Sequence, residues 1–113
     1  MAHKGNLGDL EMLVLAALVR LAPDAYGVAV RSEIEVRAQR QISIGALYTT
    51  LSRLEEKGFA TSRLGEATAE RGGRAKRYYE ITAVGRAQLE RSVGSLTRMI
   101  EGMAPWPILP KTS

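Results

Sequence analysis

The sequence predicts a mainly α-helical fold that contains one small β-hairpin. Apolar residues recur at intervals of three and four in four segments of the chain, which is the spacing of a buried helix face. Two short runs at residues 58–62 and 77–82 are typical of strands, and the glycine-containing segment between them is typical of a loop. Three helices, a hairpin and a fourth helix fit a single domain of 113 residues.

The composition favours a polyanionic partner and excludes several kinds of site. The net charge is +4, which favours partners of negative charge. Because the chain has no cysteine, disulfides, thiolate zinc sites and thiol catalysis are excluded. His3, close to the N-terminus, is the only histidine, which argues against histidine catalysis and histidine metal sites. No cofactor and no metal are therefore predicted.

Neither an enzymatic nor a membrane role is predicted. The sequence contains no Gly-rich phosphate-binding loop, no carboxylate pair and no arrangement of a nucleophile with a base. The apolar run at residues 12–19 is much shorter than the roughly 20 residues that cross a membrane. Its flanking residues do not resemble a signal peptide. We expect a soluble cytoplasmic protein.

Residues 7–21 are predicted to form the first helix, with Asn6 as its N-cap and Asp9 three residues later, in an arrangement similar to a capping box. Apolar residues lie on two sides of this helix, so it needs two packing partners. One side carries Leu7, Leu10, Val14 and Leu21, and the other carries Met12, Leu15 and Val19. We expect one side to pack on its own domain and the other on a second subunit; a fully buried central helix is the alternative.

A second helix is predicted from Tyr26 to about Gln39. Pro23 closes the first helix because proline cannot continue one, and Asp24 is a suitable cap for the next helix. The residues expected to face the core are Val30 and Ile34, with Val36 as a third candidate. The remaining face carries charges of both signs, which is typical of a face in contact with solvent.

Ser43 is predicted to cap a third helix that ends at Lys57, because Gly58 can adopt the left-handed conformation that commonly ends helices. The buried stripe of this helix is Ile44, Leu47, Leu51 and Leu54, with Tyr48 at its edge. The opposite face carries Gly45, Thr49, Ser52 and Arg53, flanked by Ala46 and Thr50. This face is small and polar, as a helix that enters the major groove of DNA must be.

A basic segment separates the two predicted strands. Residues 63–77 contain five cationic and two anionic side chains, which gives a local charge of +3. Gly65, Gly72 and Gly73 allow the segment to turn sharply. A helix followed by a hairpin with a long basic tip is the arrangement with which a winged helix-turn-helix binds DNA, so helix and wing together favour DNA binding. A flexible basic hairpin tip without a binding role is the alternative.

Candidate DNA contacts lie on the third helix and in the wing. Arg53 is the candidate for a base edge, and Thr49 and Thr50 share sequence readout with it. Phosphate contacts are expected from hydroxyl groups at the start and the edge of the helix and from the cations of the wing. The complete set is Ser43, Tyr48, Thr49, Thr50, Arg53, Arg71, Arg74, Lys76 and Arg77. A solvated helix face is the alternative, and Glu56 on that face favours it.

Thr82 is predicted to cap a last helix that runs to about Met103 and is stopped by Pro105. Apolar residues spaced four, three, four and three apart form a heptad seam along it, which is typical of a helix–helix interface. Together with the first helix, this seam is predicted to form a dimer interface through Leu10, Val14, Leu21, Leu89, Val93, Leu96, Ile100 and Met103. Packing of the seam on its own domain is the alternative.

The sequence resembles the PadR family of transcriptional regulators over about residues 7–90. The resemblance lies in LGDLE at 7–11, DAYG at 24–27, SIGALYTTLSRLEEKG at 43–58, RGGRAKRYY at 71–79 and TAVGR at 82–86. It implies a homodimeric winged-helix repressor whose wing spans about residues 64–77 and which dimerises through its first and last helices. The family often has proline at the position of Thr49. The single C-terminal helix is similar to that of the small subgroup, for which no effector pocket is implied.

The predicted organisation is a winged helix-turn-helix DNA-binding domain at residues 1–81, a C-terminal dimerisation helix at 82–104 and a proline-rich tail at 105–113. The predicted function is that of a homodimeric repressor, with a pseudo-palindromic duplex DNA operator and a second copy of itself as partners. A small-molecule effector is not assigned. The competing hypothesis is a winged-helix protein-interaction module that does not bind DNA specifically.

Overall fold

A computed structural model describes residues 7–65 and 75–103 of the chain. These residues form four α-helices and one antiparallel two-stranded sheet. The elements in chain order are α1 (Asp9–Leu21), α2 (Gly27–Arg37), α3 (Ile44–Glu56), β1 (Ala60–Leu64), β2 (Arg77–Ile81) and α4 (Ala83–Ile100). The order confirms a mainly helical winged helix-turn-helix, with α2 and α3 as the helix pair and the hairpin as the wing.

Helix α1 begins two residues later than predicted, with Gly8 as its N-cap. The Glu11 carboxylate accepts a hydrogen bond of 2.9 Å from the backbone N–H of Gly8, so the acid that closes this turn is Glu11 rather than Asp9. The expected cap, Asn6, lies outside the described residues. Leu7 is buried, and its N–H donates to the Ser92 hydroxyl of α4 at 2.9 Å, which fixes the approach of the chain to α1.

Helix α1 is the centre of the core and contacts α2, α3, α4 and β2. The prediction that Val14 contacts a second subunit is wrong, because its side chain is completely buried inside its own chain. The alternative of a central helix therefore describes the middle of α1. Leu10 and Leu21 are only half-buried against the core, so they retain surface that a second subunit can cover.

Helix α2 is capped by Tyr26, and not by Asp24 as expected. It ends at Arg37, two residues before the predicted end, and Gln39 follows with a φ of 56° in the left-handed region. Val30 and Ile34 are buried, as predicted. Val36 is 76% exposed, so its assignment to the core is wrong. It lies two residues beyond Ile34, which on a helix is the opposite face.

The charged face of α2 is held by ion pairs. Glu33 accepts hydrogen bonds from Arg37 at 2.8 Å and from Arg20 of α1 at 2.9 Å, and Arg31 lies 3.4 Å from Glu35. The hydrogen bonds from Arg37 and Arg20 lower the pKa of Glu33. The charges of this face are therefore largely paired with one another and with Arg20 of α1.

Both ends of helix α3 follow the sequence expectation. The Ser43 hydroxyl accepts a hydrogen bond of 3.0 Å from the N–H of Ala46, and Gly58 adopts a φ of 80° just beyond the helix. Its inner stripe is Leu47, Leu51 and Leu54, all with 1% or less of their surface exposed. Ile44, also assigned to this stripe, is 44% exposed, because it lies in the first turn beyond the edge of the core.

The two strands form the base of the wing. Strand β1 begins at Ala60, two residues later than predicted, because Gly58 forms the left-handed turn that follows α3. Its residues pair with β2 so that Arg63 is opposite Tyr78, and the N–H of Gly65 donates to the Lys76 carbonyl at 2.7 Å beyond the last pair.

The sheet is attached to the segment that precedes α2. The N–H of Tyr79 donates to the carbonyl of Ala25 at 2.8 Å, and Tyr26 forms a bridge with Tyr78. The ring of Tyr79 packs in the core, and burial raises the pKa of its phenol. The direction of the wing is therefore fixed by the start of α2.

Helix α4 begins as predicted, with the Thr82 hydroxyl accepting from the N–H of Gly85 at 2.9 Å. It ends at Ile100, before the expected end, and Gly102 follows with a φ of 80°. Pro105, expected to stop the helix, lies outside the described residues. Within the described residues, the buried positions of α4 are Gly85, Gln88 and Ser92, all in its first ten residues. None of the described helices is both long and apolar enough to cross a membrane.

Candidate nucleic-acid interface

The outer face of α3 is open and polar. Five of its side chains line a shallow depression, namely those of Tyr48, Thr49, Ser52, Arg53 and Glu56. All five are exposed. The structure therefore brings Thr49 and Arg53, two of the residues expected to face bases, together on one accessible surface.

Thr50 does not belong to this surface. It is only 6% exposed, and its hydroxyl donates to the carbonyl of Ala46 at 2.8 Å. It lies three residues after Leu47 and four before Leu54, and this spacing turns it towards the core. The prediction that Thr50 contacts DNA is therefore wrong.

Ser43 is exposed at the start of α3. Its oxygen accepts the hydrogen bond of Ala46, so the hydroxyl proton can still be donated outwards. The first N–H groups of the helix point in the same direction as its positive dipole end. Capping and phosphate binding are therefore compatible at this residue.

Tyr48 links the face of α3 to the start of α2. It is 42% exposed, and its phenol packs directly on Gly27, where a Cβ would lie 2.6 Å from the ring carbon that carries the hydroxyl. Only glycine at position 27 permits this approach. The role of Gly27 was missed from the sequence, because the contact joins residues that are 21 positions apart in the chain.

The structure describes two of the four predicted wing cations. Arg71 and Arg74 lie outside the described residues, as do Gly72 and Gly73. Lys76 and Arg77 are both exposed at the start of β2. The Nη1 atom of Arg77 donates to the Ser62 hydroxyl at 3.1 Å, and the Nζ atom of Lys76 lies 4.1 Å from the centre of the Tyr26 ring.

Three further residues at the base of the wing were missed. The rings of Tyr26 and Tyr78 meet edge to face, with 5.7 Å between their centres and 73° between their planes. The Cζ atom of Arg63 lies 4.9 Å from the centre of the Tyr78 ring. The sequence contained one signal for Tyr78: alternation along a strand places it on the face opposite to that of Tyr79, so the two tyrosines cannot both face the core.

The described residues of the single chain leave the apolar seam of α4 largely uncovered. The most exposed of its predicted residues are Val93 at 47%, Leu96 at 58% and Met103 at 44%, and Met99 beside them is 75% exposed. Leu89 and Ile100 are half-buried. The second half of α4 thus presents apolar surface that the described part of the chain does not cover.

The acidic residues of α1 serve the fold. Glu11 is paired with Lys57 at the end of α3, with 2.6 Å between Oε2 and Nζ, and Asp9 is paired with Arg40. In the part of the chain that the structure describes, no group of three or more histidine, cysteine, aspartate or glutamate residues could hold a metal ion.

Comparison with known proteins places the chain among transcriptional regulators. Residues 14–91 match the sequence profile of the transcriptional regulator PadR-like family. An uncharacterised protein from Lysinibacillus sphaericus is 34% identical over 88 residues, which cover 76% of each chain. The profile spans well over half of this chain.

Solved structures share the fold. A transcriptional regulator from Clostridium thermocellum superposes with a TM-score of 0.68 at 20% identity, covering 87% of this chain and 92% of that one. A PadR-like transcriptional regulator from Bacillus cereus superposes with a TM-score of 0.65 at 23% identity, covering 86% of this chain and 92% of that one. At these identities the likeness concerns the arrangement of helices and hairpin.

Proposed function

This chain belongs to the PadR-like family of transcriptional regulators, and we propose that it acts as a homodimeric repressor that binds a pseudo-palindromic DNA operator. The observation that carries the proposal is the continuity between the open face of α3 and the base of the wing. Tyr48 lines that face and packs on Gly27, and the preceding residue, Tyr26, lies beneath the ammonium group of Lys76. A groove-sized polar helix and a cation thus adjoin on one side of the domain.

Each residue of this surface has a role in the proposed complex. Arg53 donates to a base edge in the major groove, with Thr49 beside it. Ser43, Tyr48, Lys76 and Arg77 bind backbone phosphates, which fixes the register of α3 on the duplex. Arg71 and Arg74 remain predictions from the sequence for the same role. No step of this function is catalytic.

The proposed dimer forms through α4 and the half-buried residues of α1. The exposed seam residues Val93, Leu96 and Met103 supply the apolar surface, and Leu89, Ile100, Leu10 and Leu21 extend it. A two-fold axis relating two copies of α3 would place them about one turn of DNA, roughly 34 Å, apart. Repression follows if the occupied operator overlaps the site at which transcription begins.

The test of the function is to sequence the genomic DNA fragments that the purified protein retains and to measure affinity for the enriched sequence by fluorescence anisotropy at several salt concentrations. We expect an inverted repeat, with affinity that falls steeply as salt rises. A reporter gene placed behind the enriched sequence should be expressed less when the protein is present. Retention of no DNA at low salt would favour the protein-interaction module instead.

Arg53→Ala should reduce affinity for the enriched sequence far more than affinity for random duplex. Loss of a contact to a base edge costs about 1–3 kcal/mol at each half-site. Arg37→Ala is the matched control. Arg37, the last residue of α2, is also an exposed helix arginine, but it is paired with Glu33 and does not lie on the face of α3. Equal losses on both kinds of DNA would assign Arg53 to the backbone rather than to the bases.

A further inference from the structure

We propose that Arg63 and Lys76 form a phosphate-binding pair at the base of the wing and that the rings of Tyr78 and Tyr26 position these two cations. We refer to the four residues as the wing-base array. The ligand is the sugar-phosphate backbone of duplex DNA beside the groove that α3 enters, so this inference rests on the proposed function. It adds Arg63 as a binding residue and both tyrosines as positioning residues.

The array is continuous across three segments of the chain. Arg63 of β1 is the register partner of Tyr78 in β2, and its guanidinium carbon lies 4.9 Å from the centre of the Tyr78 ring. The Tyr78 ring meets that of Tyr26 at 5.7 Å, and the Lys76 ammonium lies 4.1 Å from the centre of the Tyr26 ring. Both cations are thus within the range of a cation–π contact with their own ring.

The rings themselves are held by the backbone around them. Tyr26 and Tyr78 form a β-bridge, and the N–H of Tyr79 donates to the carbonyl of Ala25. Gly65 packs against the Tyr78 ring, where a Cβ would lie 2.6 Å from one ring carbon. Both rings are half-buried as a result. They are therefore fixed surfaces on which a flexible cation loses little further freedom.

The two cations have charge to offer a ligand. Both are exposed, and neither forms an ion pair with a carboxylate within residues 7–65 and 75–103. Among the described residues, the Arg63 side chain forms one hydrogen bond, a long one of 3.5 Å to the carbonyl of Pro23. A cation above a ring keeps its full charge and N–H groups that point away from the ring. Phosphate oxygens are suitable acceptors for both groups.

The position of the array favours DNA backbone over any other polyanion. Tyr26 directly precedes Gly27, on which Tyr48 packs, and Tyr48 lines the open face of α3. A duplex seated on α3 therefore has one of its strands next to Lys76. The tyrosines set where that strand meets the wing.

The main experiment is a double-mutant cycle on DNA affinity and on its salt slope. Lys76→Gln and Arg63→Gln should each lower the salt slope by about two for a dimer, one for each half-site. Tyr26→Leu should weaken binding by up to about thirtyfold, since the energy of a cation–π contact that holds Lys76 in place is lost at both half-sites, whereas Tyr26→Phe, which keeps the ring face, should bind like the natural protein. In the Lys76→Gln background, Tyr26→Leu should have no further effect.

A second measurement uses the free protein. The ring current of Tyr26 should shift the ε-methylene protons of Lys76 upfield in NMR spectra, and Tyr26→Leu should abolish this shift while Tyr26→Phe retains it. If Tyr26→Leu unfolds the domain, the Tyr26→Phe, Lys76→Gln and Arg63→Gln variants, all at exposed or half-buried side chains, still supply both readouts.

The outcomes separate the two proposals. A natural protein that shows the ring-current shift but binds no DNA overturns the proposed function. A protein that binds its operator with an unchanged salt slope in both glutamine variants overturns the phosphate pair alone. If Tyr26→Leu lowered DNA affinity equally in the natural protein and in the Lys76→Gln variant, the ring of Tyr26 would act only in the fold. Its role in positioning Lys76 would then be rejected.

Discussion

Gly85 lies where α4 crosses the end of the hairpin, and its missing side chain is what lets the helix come so close. A Cβ at this position would lie 2.9 Å from the carbonyl carbon of Phe59 and closer still to its oxygen. This obstacle is backbone, so it cannot swing aside. Gly94, farther along the same helix, would meet only the end of the flexible Arg98 side chain at 3.3 Å.

We therefore expect opposite effects of alanine at these two glycines. Gly85→Ala should lower the free energy of unfolding by about 2 kcal/mol or more, because α4 must move away from the hairpin. Gly94→Ala should raise it by up to about 1 kcal/mol, since alanine is the better helix former. Urea denaturation of the two variants measures both values. A Gly85→Ala variant as stable as the natural protein would refute the close contact.

Gly27→Ala should separate DNA binding from stability. The new Cβ would collide with the Tyr48 phenol, which is the partly exposed end of a side chain and can move. Stability should therefore change by less than about 1 kcal/mol, while operator affinity should fall because Tyr48 is displaced. In a Tyr48→Ala background, Gly27→Ala should leave the affinity unchanged; an additional loss there would mean that Gly27 acts in another way.

Two of the residues misassigned from the sequence, Thr50 and Val14, share one cause. Thr50 and Val14 were placed by their side-chain type and helical spacing, but burial depends on how many neighbours surround a helix. Helix α1 has neighbours on nearly all sides, which buries Val14, and the hydroxyl of Thr50 is satisfied by the carbonyl of Ala46. Leu47, Leu51 and Leu54 were predicted correctly because α3 has a single buried stripe.

Among the elements, α3 depends on a cap that also borders the proposed DNA surface. Ser43→Ala should lower the free energy of unfolding by about 1 kcal/mol, because the N–H of Ala46 loses its acceptor. Ser43→Asp should keep the cap, since its carboxylate accepts the same hydrogen bond and suits the positive helix end. The aspartate should nevertheless bind the operator more weakly than the alanine, because it repels phosphate.

Thermal melting and anisotropy on the same two variants check this prediction. Opposite orders of stability and affinity are expected for Ser43→Asp and Ser43→Ala. If affinity followed stability in both variants, Ser43 would act only as a cap.

Element boundaries were predictable where local chemistry sets them. Ser43 and Gly58 define α3 to within one residue, and Thr82 defines the start of α4, because a cap and a left-handed glycine act through neighbours in the sequence. The link between Tyr26 and the hairpin was not predictable, since it joins segments about fifty residues apart. The wing-base array depends on this long-range link.

For the whole molecule, the exposed seam of α4 predicts the oligomeric state. Val93→Asp should shift the protein to monomer, because a charge in an apolar interface loses its hydration without gaining a partner. Val84→Asp is the matched control: Val84 is 62% exposed on the same helix but lies outside the seam. Sedimentation velocity at several concentrations measures both. A Val93→Asp protein that sediments as a dimer would remove the seam from the interface.

The hydroxyl of Thr82 links the turn after α3, the proposed DNA-binding helix, to the start of α4, the helix of the proposed dimer. It accepts from the N–H of Gly85 to begin α4, and it donates at 2.7 Å to the carbonyl of Gly58, which lies two residues beyond the end of α3. The segment that follows α3 and the start of α4 are therefore joined through one side chain, and the N–H of Thr82 adds a third bond, of 3.0 Å, to the carbonyl of Phe59. If the proposed dimer forms through α4, the angle between α3 and α4 sets the distance between the two copies of α3. The number of base pairs between the half-sites of the proposed operator would then depend on this angle, and Thr82 is one of the residues that set it.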